Sequence, residues 1–521
     1  MAIAAVAQSC SELNLFVQST VHGLYTQYMD WEKLLSPTRI RELSGHGASD
    51  NPTPQLRSEF ERDYDRAVFS TPVRRLQDKA QVYPLEPNDG IRTRLTHSHE
   101  VATVSRSLTK ASLLAAKEAK MLSLTDNQIE SFVTIAGTCG LLHDVGNPPF
   151  GHAGEQAIRD WFSQRDEGKK IIEKLKGHPE YQKDLTLFDG NAQTIRLIAR
   201  LQLINDEFGL NLTCGTMAAA TKYIATSSTA DKDGSCQQLK KLGVFSTETE
   251  RINQVRERVG LQGNTRHPIT FLVEAADDIV YSSVDIEDGL KKGDISWKVL
   301  RRYLKDKLEP DTSFLDAVLK GMLRQFNISG YSGFKKDELY NAADDLDRDF
   351  DQDVIAQVFR VQAIAKVIPA VRSLFVQKLP EIESGEYCKE LIEDDGCAAK
   401  EFVAACKEAA CKHVFPSKEI LQLELMGRNI IFDLMSAFWE GASSGCHDMK
   451  SKKFSGKTYN LISLNYRKVF EEEIGKCSTR SNENSPEDPI QVYHRAKLVV
   501  DYIAGMTDTF AQNLHRQLFN G

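Results

Sequence analysis

The stretch that decides the fold is GLLHDVGNPPFGHAGE, residues 140–155. An apolar helical run ends there in His143 and Asp144, and a Gly-Asn-Pro-Pro break follows. Proline ends a helix because it lacks a backbone N–H and its ring clashes with the preceding turn. His152 and Glu155 then follow at helical spacing. An imidazole beside a carboxylate at a helix end suits a divalent cation, although an ordinary polar helix end has the same residues.

The composition is that of a large globular chain. Its 521 residues are 41% hydrophobic, which is enough for a sizeable core and for two or three domains. A net charge of -8 argues against a generally basic nucleic-acid-binding surface. No run of ~18 apolar residues stands out, so we expect no membrane span. The N-terminus lacks a basic region before its apolar residues, which predicts no secretory signal and a cytoplasmic location.

The ten cysteines are scattered, and none forms a CxxC pair. This spacing is typical of reduced thiols and argues against a structural zinc site.

Helical periodicity dominates the chain and predicts an all-α protein. Thr125 and Gln128 form a capping box that should open the helix leading to His143. A segment rich in Ser, Thr, Lys and Asp, residues 225–255, is predicted to be a solvated loop or insertion. Further helices are expected over 96–122, 190–208, 213–224 and 269–291, and from about 295 to the end with breaks at 326–336, 383–398, 441–456 and 476–488.

Two other places offer ligands to the same cation. His97 lies near a predicted helix start, and Asp277, Tyr281 and Asp285 are spaced i, i+4, i+8 on a predicted helix. Such spacing places the three on one face over about 12 Å, because a helix rises 1.5 Å per residue. Taken alone, the acidic spacing favours a solvated face with a tyrosine on its edge, and His97 favours an ordinary histidine at a helix start.

The ordered pattern H…HD…D resembles the HD superfamily of metal-dependent phosphohydrolases, and the fuller wording resembles the bacterial dGTP triphosphohydrolases. The resemblance covers roughly residues 60–510 and implies a helical HD core with an added C-terminal helical half. Its motifs are RTRLTHS (92–98), HDVGNPPFGHAGE (143–155), DGNAQ (189–193), EAADDI (274–279), KHVF (412–415), LEL (423–425) and DYIAGMTD (501–508).

The resemblance implies a division of the chain into three parts. We expect a helical extension and loop over 1–58, an HD-type phosphohydrolase core over 59–295, and a C-terminal region over 296–521 that completes a nucleotide pocket.

The resemblance also implies the catalytic centre. His97, His143, Asp144 and Asp277 would bind Mn²⁺ or Mg²⁺. His152 would act at the α-phosphate as a general acid or base or by positioning water, and Glu155 would orient it.

Substrate contacts follow from the same resemblance. Arg94, Lys222 with Tyr223, and more weakly Arg360 would offset the phosphate charge. Tyr281, Asp285, Gln81 and Val82 would bind the sugar and leave little room for a 2′-hydroxyl. Phe415 and Glu424 would recognise guanine, since a carboxylate accepts hydrogen bonds from both N1–H and N2–H₂.

The implied reaction converts dGTP to deoxyguanosine and inorganic triphosphate. Three alternatives remain open: a triphosphohydrolase acting on several dNTPs, an HD enzyme for cyclic or alarmone nucleotides, and an HD nucleotide sensor that binds single-stranded nucleic acid. The resemblance further implies a homo-oligomer, commonly a hexamer, and single-stranded DNA binding as a side activity.

Overall fold

The computed structural model describes residues 29–46, 56–86, 88–202, 207–234, 236–416, 418–444, 453–478 and 488–519. These residues form no strand, and helix accounts for 70% of the structure. The predicted all-α class is therefore confirmed. The extension expected over 1–58 lies largely outside the described residues.

Most helices before the long central helix are short. Two 3₁₀ turns, at Leu76–Asp78 and Gln237–Leu239, lie among them. They are α1 Trp31–Leu34, α2 Ile40–Leu43, α3 Glu59–Val68, α4 Thr71–Arg75, α5 Arg94–Glu118, α6 Asp126–Leu142, α7 Gly151–Gln164, α8 Asp166–Lys174, α9 Pro179–Thr186, α10 Gly190–Arg196, α11 Cys214–Ala220, α12 Thr249–Arg258 and the central α13 Pro268–Lys292.

The second half continues as helices. The predicted breaks at 326–336 and 383–398 fall between them, whereas those at 441–456 and 476–488 lie largely outside the described residues. The helices are α14 Trp297–Leu308, α15 Ser313–Gln325, α16 Lys336–Asp349, α17 Gln352–Ser384, α18 Lys400–His413, α19 Lys418–Ser444, α20 Phe454–Leu461, α21 Leu464–Ser478, α22 Pro489–Ala504 and α23 Asp508–Phe519.

Helix α13 is the centre of the molecule. It packs against α5 and α6 on one side and against α17 and α18 on the other. The ring of His267 caps its first turn, and Gly293 ends it in a left-handed conformation with φ +80°. The acidic second half of α13 is buried, because Arg92 forms ion pairs with Glu287 and Asp288. The solvated acidic face that the sequence left open is thus excluded.

The interpretation of residues 225–255 as a solvated loop holds for the irregular, mostly exposed stretch 228–234 and is wrong for 242–255. Val244 and Phe245 are fully buried, and α12 begins at Thr249. Gly243 allows the chain to fold back, since its N–H bonds to Ala225 O at 2.9 Å and a Cβ there would lie 1.8 Å from Tyr223 O. Polar composition concealed a short apolar segment that packs on the core.

Helix α17 bears on the expectation that the chain has no membrane span. By length and composition it is apolar enough to cross a membrane, and 39% of its most apolar window is buried inside the molecule. Phe359 and Phe375 on this helix are fully buried, and α17 packs on α13 and α15. These contacts bury part of the helix inside the molecule.

Candidate active site

Three side chains from three helices meet at one point. His97 lies in the first turn of α5, His143 directly follows α6, and Asp277 lies near the middle of α13. Oδ1 of Asp277 is 3.2 Å from Nε2 of His97 and 3.5 Å from Nε2 of His143. One ligand atom from each of the three lies within 4.8 Å of the others. The capping box at Thr125 and Gln128, confirmed in the structure, begins the helix that delivers His143.

These groups fit a divalent metal ion. Nδ1 of His143 lies 2.8 Å from Gly140 O, and a carbonyl can only accept, so Nδ1 carries the proton. Nε2 of His143 is buried without a hydrogen-bond partner among the described residues and lies 3.5 Å from Oδ1 of Asp277. Burial raises the pKa of Asp277, but His143 and His97 outweigh it and hold that pKa below its usual range. Imidazole and carboxylate donors suit Mn²⁺, Mg²⁺ or iron.

Asp144 lies beside this cluster. Its Oδ2 is 3.5 Å from Nε2 of His143 and forms an ion pair with the Arg94 guanidinium. Its Oδ1 accepts a hydrogen bond from Asn147 at 2.8 Å. Burial opposes ionisation, yet His143 and Arg94 lower the pKa of Asp144. The group is therefore a carboxylate beside the cluster formed by His97, His143 and Asp277.

His152 and Glu155 form a hydrogen-bonded pair in the same cavity. Nδ1 of His152 lies 3.1 Å from Oε2 of Glu155, and Oε1 of Glu155 accepts the Gly190 N–H at 2.7 Å. The hydrogen bond to Glu155 raises the pKa of His152 despite partial desolvation. The imidazole is 90% accessible and lines the cavity, whereas the Glu155 side chain is 7% accessible. A fixed carboxylate thus holds a ring that is open to a ligand.

An unusual turn precedes His152. Phe150 adopts φ 63° and ψ 20°, and Gly151 has φ 56°. A left-handed conformation costs a non-glycine residue about 1–2 kcal/mol. This turn is the Pro-Pro break of the sequence, and it starts α7 with His152 at its second position.

One cavity of about 430 Å³ contains these groups together with most of the predicted substrate residues. Tyr281, one turn after Asp277 on α13, lies 6.4 Å from Phe415 between ring centroids. The predicted residues that line the cavity are Gln81, Val82, Arg94, His97, His143, Asp144, His152, Glu155, Lys222, Tyr223, Asp277, Tyr281, Phe415 and Glu424.

The cavity wall carries both signs of charge, with four Lys and Arg side chains among seven Asp and Glu side chains. Lys222 Nζ lies 3.9 Å from Asp277 Oδ2 and 4.0 Å from Glu274 Oε1. Burial lowers the pKa of Lys222, but Tyr223, Glu274 and Asp277 together raise it well above its ordinary value. The residue is therefore charged. Arg94 is also buried in the wall of this cavity.

Two predicted substrate residues lie elsewhere. Asp285 is fully buried and does not line the cavity, and neither carboxylate oxygen has a hydrogen-bond partner among the described residues. Burial and the neighbouring Asp288 raise its pKa well above the ordinary value. Arg360 on α17 forms an ion pair with Glu287, away from the cavity. In this chain, therefore, neither side chain reaches the site.

Several other residues in the cavity wall have no role predicted from the sequence. Lys241 lies in the segment 225–255 that the sequence predicts to be a loop. Its Nζ is 5.8 Å from the centre of the Tyr223 ring. The apolar LGVF that follows it was the available signal. Lys407 on α18 forms an ion pair with Asp278 at 2.6 Å. The remaining polar residues of this group are Asn147, Asp189, Asn191, Thr194, Thr270, Glu274 and Asp278.

Comparisons with known proteins agree with this geometry. Residues 94–207 match the HD domain, and residues 478–517 match the phosphohydrolase-associated domain. A deoxyguanosinetriphosphate triphosphohydrolase-like protein of Listeria innocua is 32% identical over 504 residues, which cover 94% of this chain and 99% of the relative. The deoxyguanosinetriphosphate triphosphohydrolase of Yersinia enterocolitica is 31% identical over 497 residues, or 88% of this chain and 93% of the relative.

Proposed function

Because the chain belongs to the deoxyguanosinetriphosphate triphosphohydrolase family of HD-domain phosphohydrolases, we propose that it hydrolyses dGTP to deoxyguanosine and inorganic triphosphate with a divalent metal ion. The proposal rests on one observation, namely that the candidate metal ligands, the His152–Glu155 pair and Glu424 line the same cavity. The cluster of His97, His143 and Asp277 lies in the same cavity as the His152–Glu155 pair and Glu424.

The proposed metal centre uses His97, His143, Asp277 and Asp144, with Mn²⁺ or Mg²⁺ as the ion. When bound, such an ion polarises a phosphoryl oxygen as a Lewis acid. Asp277 and Asp144 contribute negative charge at any pH near neutrality, because their pKa values are lowered.

We assign the proton step to His152. Nδ1 keeps its proton against Glu155, so Nε2 is the nitrogen that takes or gives a proton in the cavity. In the proposed reaction a water oxygen bonds to the α-phosphorus, and the bond from that phosphorus to the 5′ oxygen breaks. The 5′ oxygen then takes up a proton and leaves as the deoxyguanosine hydroxyl.

Arg94 and Lys222 would offset the negative charge of the substrate phosphates. Lys241, which lines the same cavity, would contribute to the same role. The ring of Tyr281 would pack on the sugar, with Gln81 and Val82 beside it. Asp285 and Arg360 remain proposals from the resemblance alone, and a role for either requires a rearrangement that brings it into the cavity.

Guanine selection is proposed for Glu424, beside Phe415. A carboxylate that accepts from N1–H and N2–H₂ would lose both bonds with adenine. Each unpaired polar group costs roughly 1–3 kcal/mol. Residues 59–295 would thus supply the catalytic core, and residues 296–521 would supply the base-binding wall.

Product analysis tests the proposal directly. The protein is incubated with dGTP and Mn²⁺, and the products are separated by anion-exchange chromatography. We expect deoxyguanosine and triphosphate in equal amounts. Formation of dGMP with pyrophosphate, or of dGDP with phosphate, would overturn the assignment of the cleaved bond.

Substrate range is tested with the four dNTPs side by side under the same conditions. A clear preference for dGTP supports the role of Glu424. Comparable triphosphate release from dATP and dCTP would replace strict guanine choice by the broader dNTP activity. Sedimentation of the same preparation tests the proposed homo-oligomer, for which a single monomeric species would be the contrary result.

A further inference from the structure

Phe150 begins the helix of His152 in a conformation that needs external support. Its φ of 63° lies in the left-handed region, where phenylalanine rarely occurs. Only Gly151 separates it from His152, whose imidazole lines the cavity. Any relaxation of this turn would therefore change the direction of His152.

Asp508, the first residue of α23, supports this turn from the far end of the chain. Its side chain is buried, with 2% of the residue exposed. Oδ1 accepts the Phe150 N–H and Oδ2 accepts the Ala80 N–H, each at 2.9 Å. One carboxylate thus joins the turn before His152 to the segment that leads into Gln81 and Val82.

Lys79 reinforces the same junction. Its Nζ donates to the carbonyl of Asn147 and, at 3.0 Å, to that of Ala504 at the end of α22. The Pro-Pro loop is therefore tied to the C-terminal helices at both of its ends, by Lys79 at Asn147 and by Asp508 at Phe150.

The ring of Phe150 is held on its other side by α19. A Cβ built on Gly427 would lie 2.5 Å from Cγ and 2.8 Å from Cδ2 of Phe150. Only glycine at this position lets the helix and the ring approach so closely. Glu424 lies one turn earlier on the same helix, so the base-binding wall and the turn before His152 are in direct contact.

We propose that Asp508 and Gly427 are positioning residues that hold Phe150 in its left-handed conformation and thereby aim His152 at the reacting phosphate. The catalytic part of this proposal rests on the function proposed above. A displacement of about 1 Å at a reacting group costs on the order of 100-fold in rate. The two residues should therefore affect turnover more than substrate binding.

The central variant is Asp508→Asn. An amide has one accepting oxygen, so it can satisfy only one of the two N–H groups that Asp508 now satisfies. We expect kcat to fall roughly 10- to 100-fold while KM changes less than about 3-fold. The matched control is Thr509→Val, which removes the neighbouring hydrogen bond to Asp78 and touches neither Phe150 nor Ala80. It should leave both constants unchanged.

Gly427→Ala and Phe150→Ala form a double-mutant cycle that does not depend on Asp508. Gly427→Ala should lower kcat at least about tenfold in the wild-type background, and less than about twofold in the Phe150→Ala background. Gly475→Ala, at a helical glycine whose Cβ would meet nothing within 4 Å, is the control. Equal losses in both backgrounds would refute the role of the ring contact.

Hydrogen exchange separates this inference from the proposed function. In Asp508→Asn the peptide over residues 146–158 should exchange faster, while a peptide over 126–142 should not change. Unchanged exchange in 146–158 together with unchanged kcat would overturn the positioning role. If the wild type fails to hydrolyse dGTP, the proposed function falls and hydrogen exchange alone decides the positioning role.

Discussion

Both carboxylate oxygens of Glu155 accept hydrogen bonds: Oε2 from Nδ1 of His152 at 3.1 Å, and Oε1 from the backbone N–H of Gly190 at 2.7 Å. The Gly190 bond comes from the first residue of α10, so the carboxylate is fixed by an element outside its own helix. The hydrogen bond and the charge of Glu155 favour the protonated imidazole.

Glu155→Gln should shift the pH dependence of the reaction. The folded-state pKa of His152 is raised by Glu155, so removal of the carboxylate charge lowers it. The limb of the kcat/KM profile that belongs to His152 should move to lower pH, and kcat should fall about 10- to 100-fold. The measurement is a pH–rate profile of both proteins. Glu167→Gln, an exposed position on α8, is the control, and an unmoved limb in Glu155→Gln would argue against the coupling.

Asp277→Asn should weaken metal binding and activity together. The variant keeps the size of the side chain but removes the charge that lies between His97 and His143. Calorimetric titration with Mn²⁺ should show affinity at least about tenfold weaker, and dGTP hydrolysis should fall by a similar or larger factor. Asp306→Asn on the exposed face of α14 provides the comparison. Full activity in Asp277→Asn, or in wild type after exhaustive chelation, would contradict the metal assignment.

Glu424→Gln should reduce the preference for guanine. Glutamine presents one acceptor and one donor group, so one of the two guanine donors loses its partner. The ratio of kcat/KM for dGTP to that for dATP should drop about tenfold, which is the low end of the range because the residue is exposed. Glu440→Gln changes the same residue type on the same helix away from the cavity. If the ratio of kcat/KM for dGTP to that for dATP does not change, residues other than Glu424 select the base.

The cap of α13 should make the protein acid-sensitive. Nδ1 of His267 accepts the Ile269 N–H, and burial lowers the pKa of this histidine to about 3. The unfolded chain then binds more protons between pH 3 and about 6.5, so the free energy of unfolding decreases as the pH falls through that window. From pH 7.5 to 5.5 the contribution of this one group is about 1.4 kcal/mol.

Urea unfolding of wild type and His267→Asn at the two pH values measures this contribution. The variant should lose less stability on acidification than the wild type does. His99→Asn, an exposed histidine on α5, should behave like the wild type. Identical losses in wild type and His267→Asn would show that the cap is not the acid-sensitive group.

Local chemistry explains which expectations succeeded. The capping box at Thr125 is complete within four residues, and proline breaks a helix wherever it falls, so the helix that delivers His143 and the turn after it could be predicted. The meeting of His97, His143 and Asp277 required the family resemblance, because nothing local to any of the three specifies contact across 180 residues.

Long-range packing explains what the sequence concealed. Lys241 enters the cavity because Gly243 and Phe245 fold its segment against the core, whereas polar composition alone predicts a loop. Arg360 and Asp285 show the reverse case. The family resemblance predicts that both contact the substrate. In the structure Arg360 forms an ion pair with Glu287, and Asp285 is fully buried.

The Asp508 junction has a consequence for the order in which the molecule assembles. It joins residues separated by 358 and 428 positions along the chain. Such distant contacts close late, because the loops they enclose must first be brought together. In a refolding experiment, catalytic competence should therefore return after most of the helical signal, and a chain that is still being synthesised should acquire helices well before it acquires a working site.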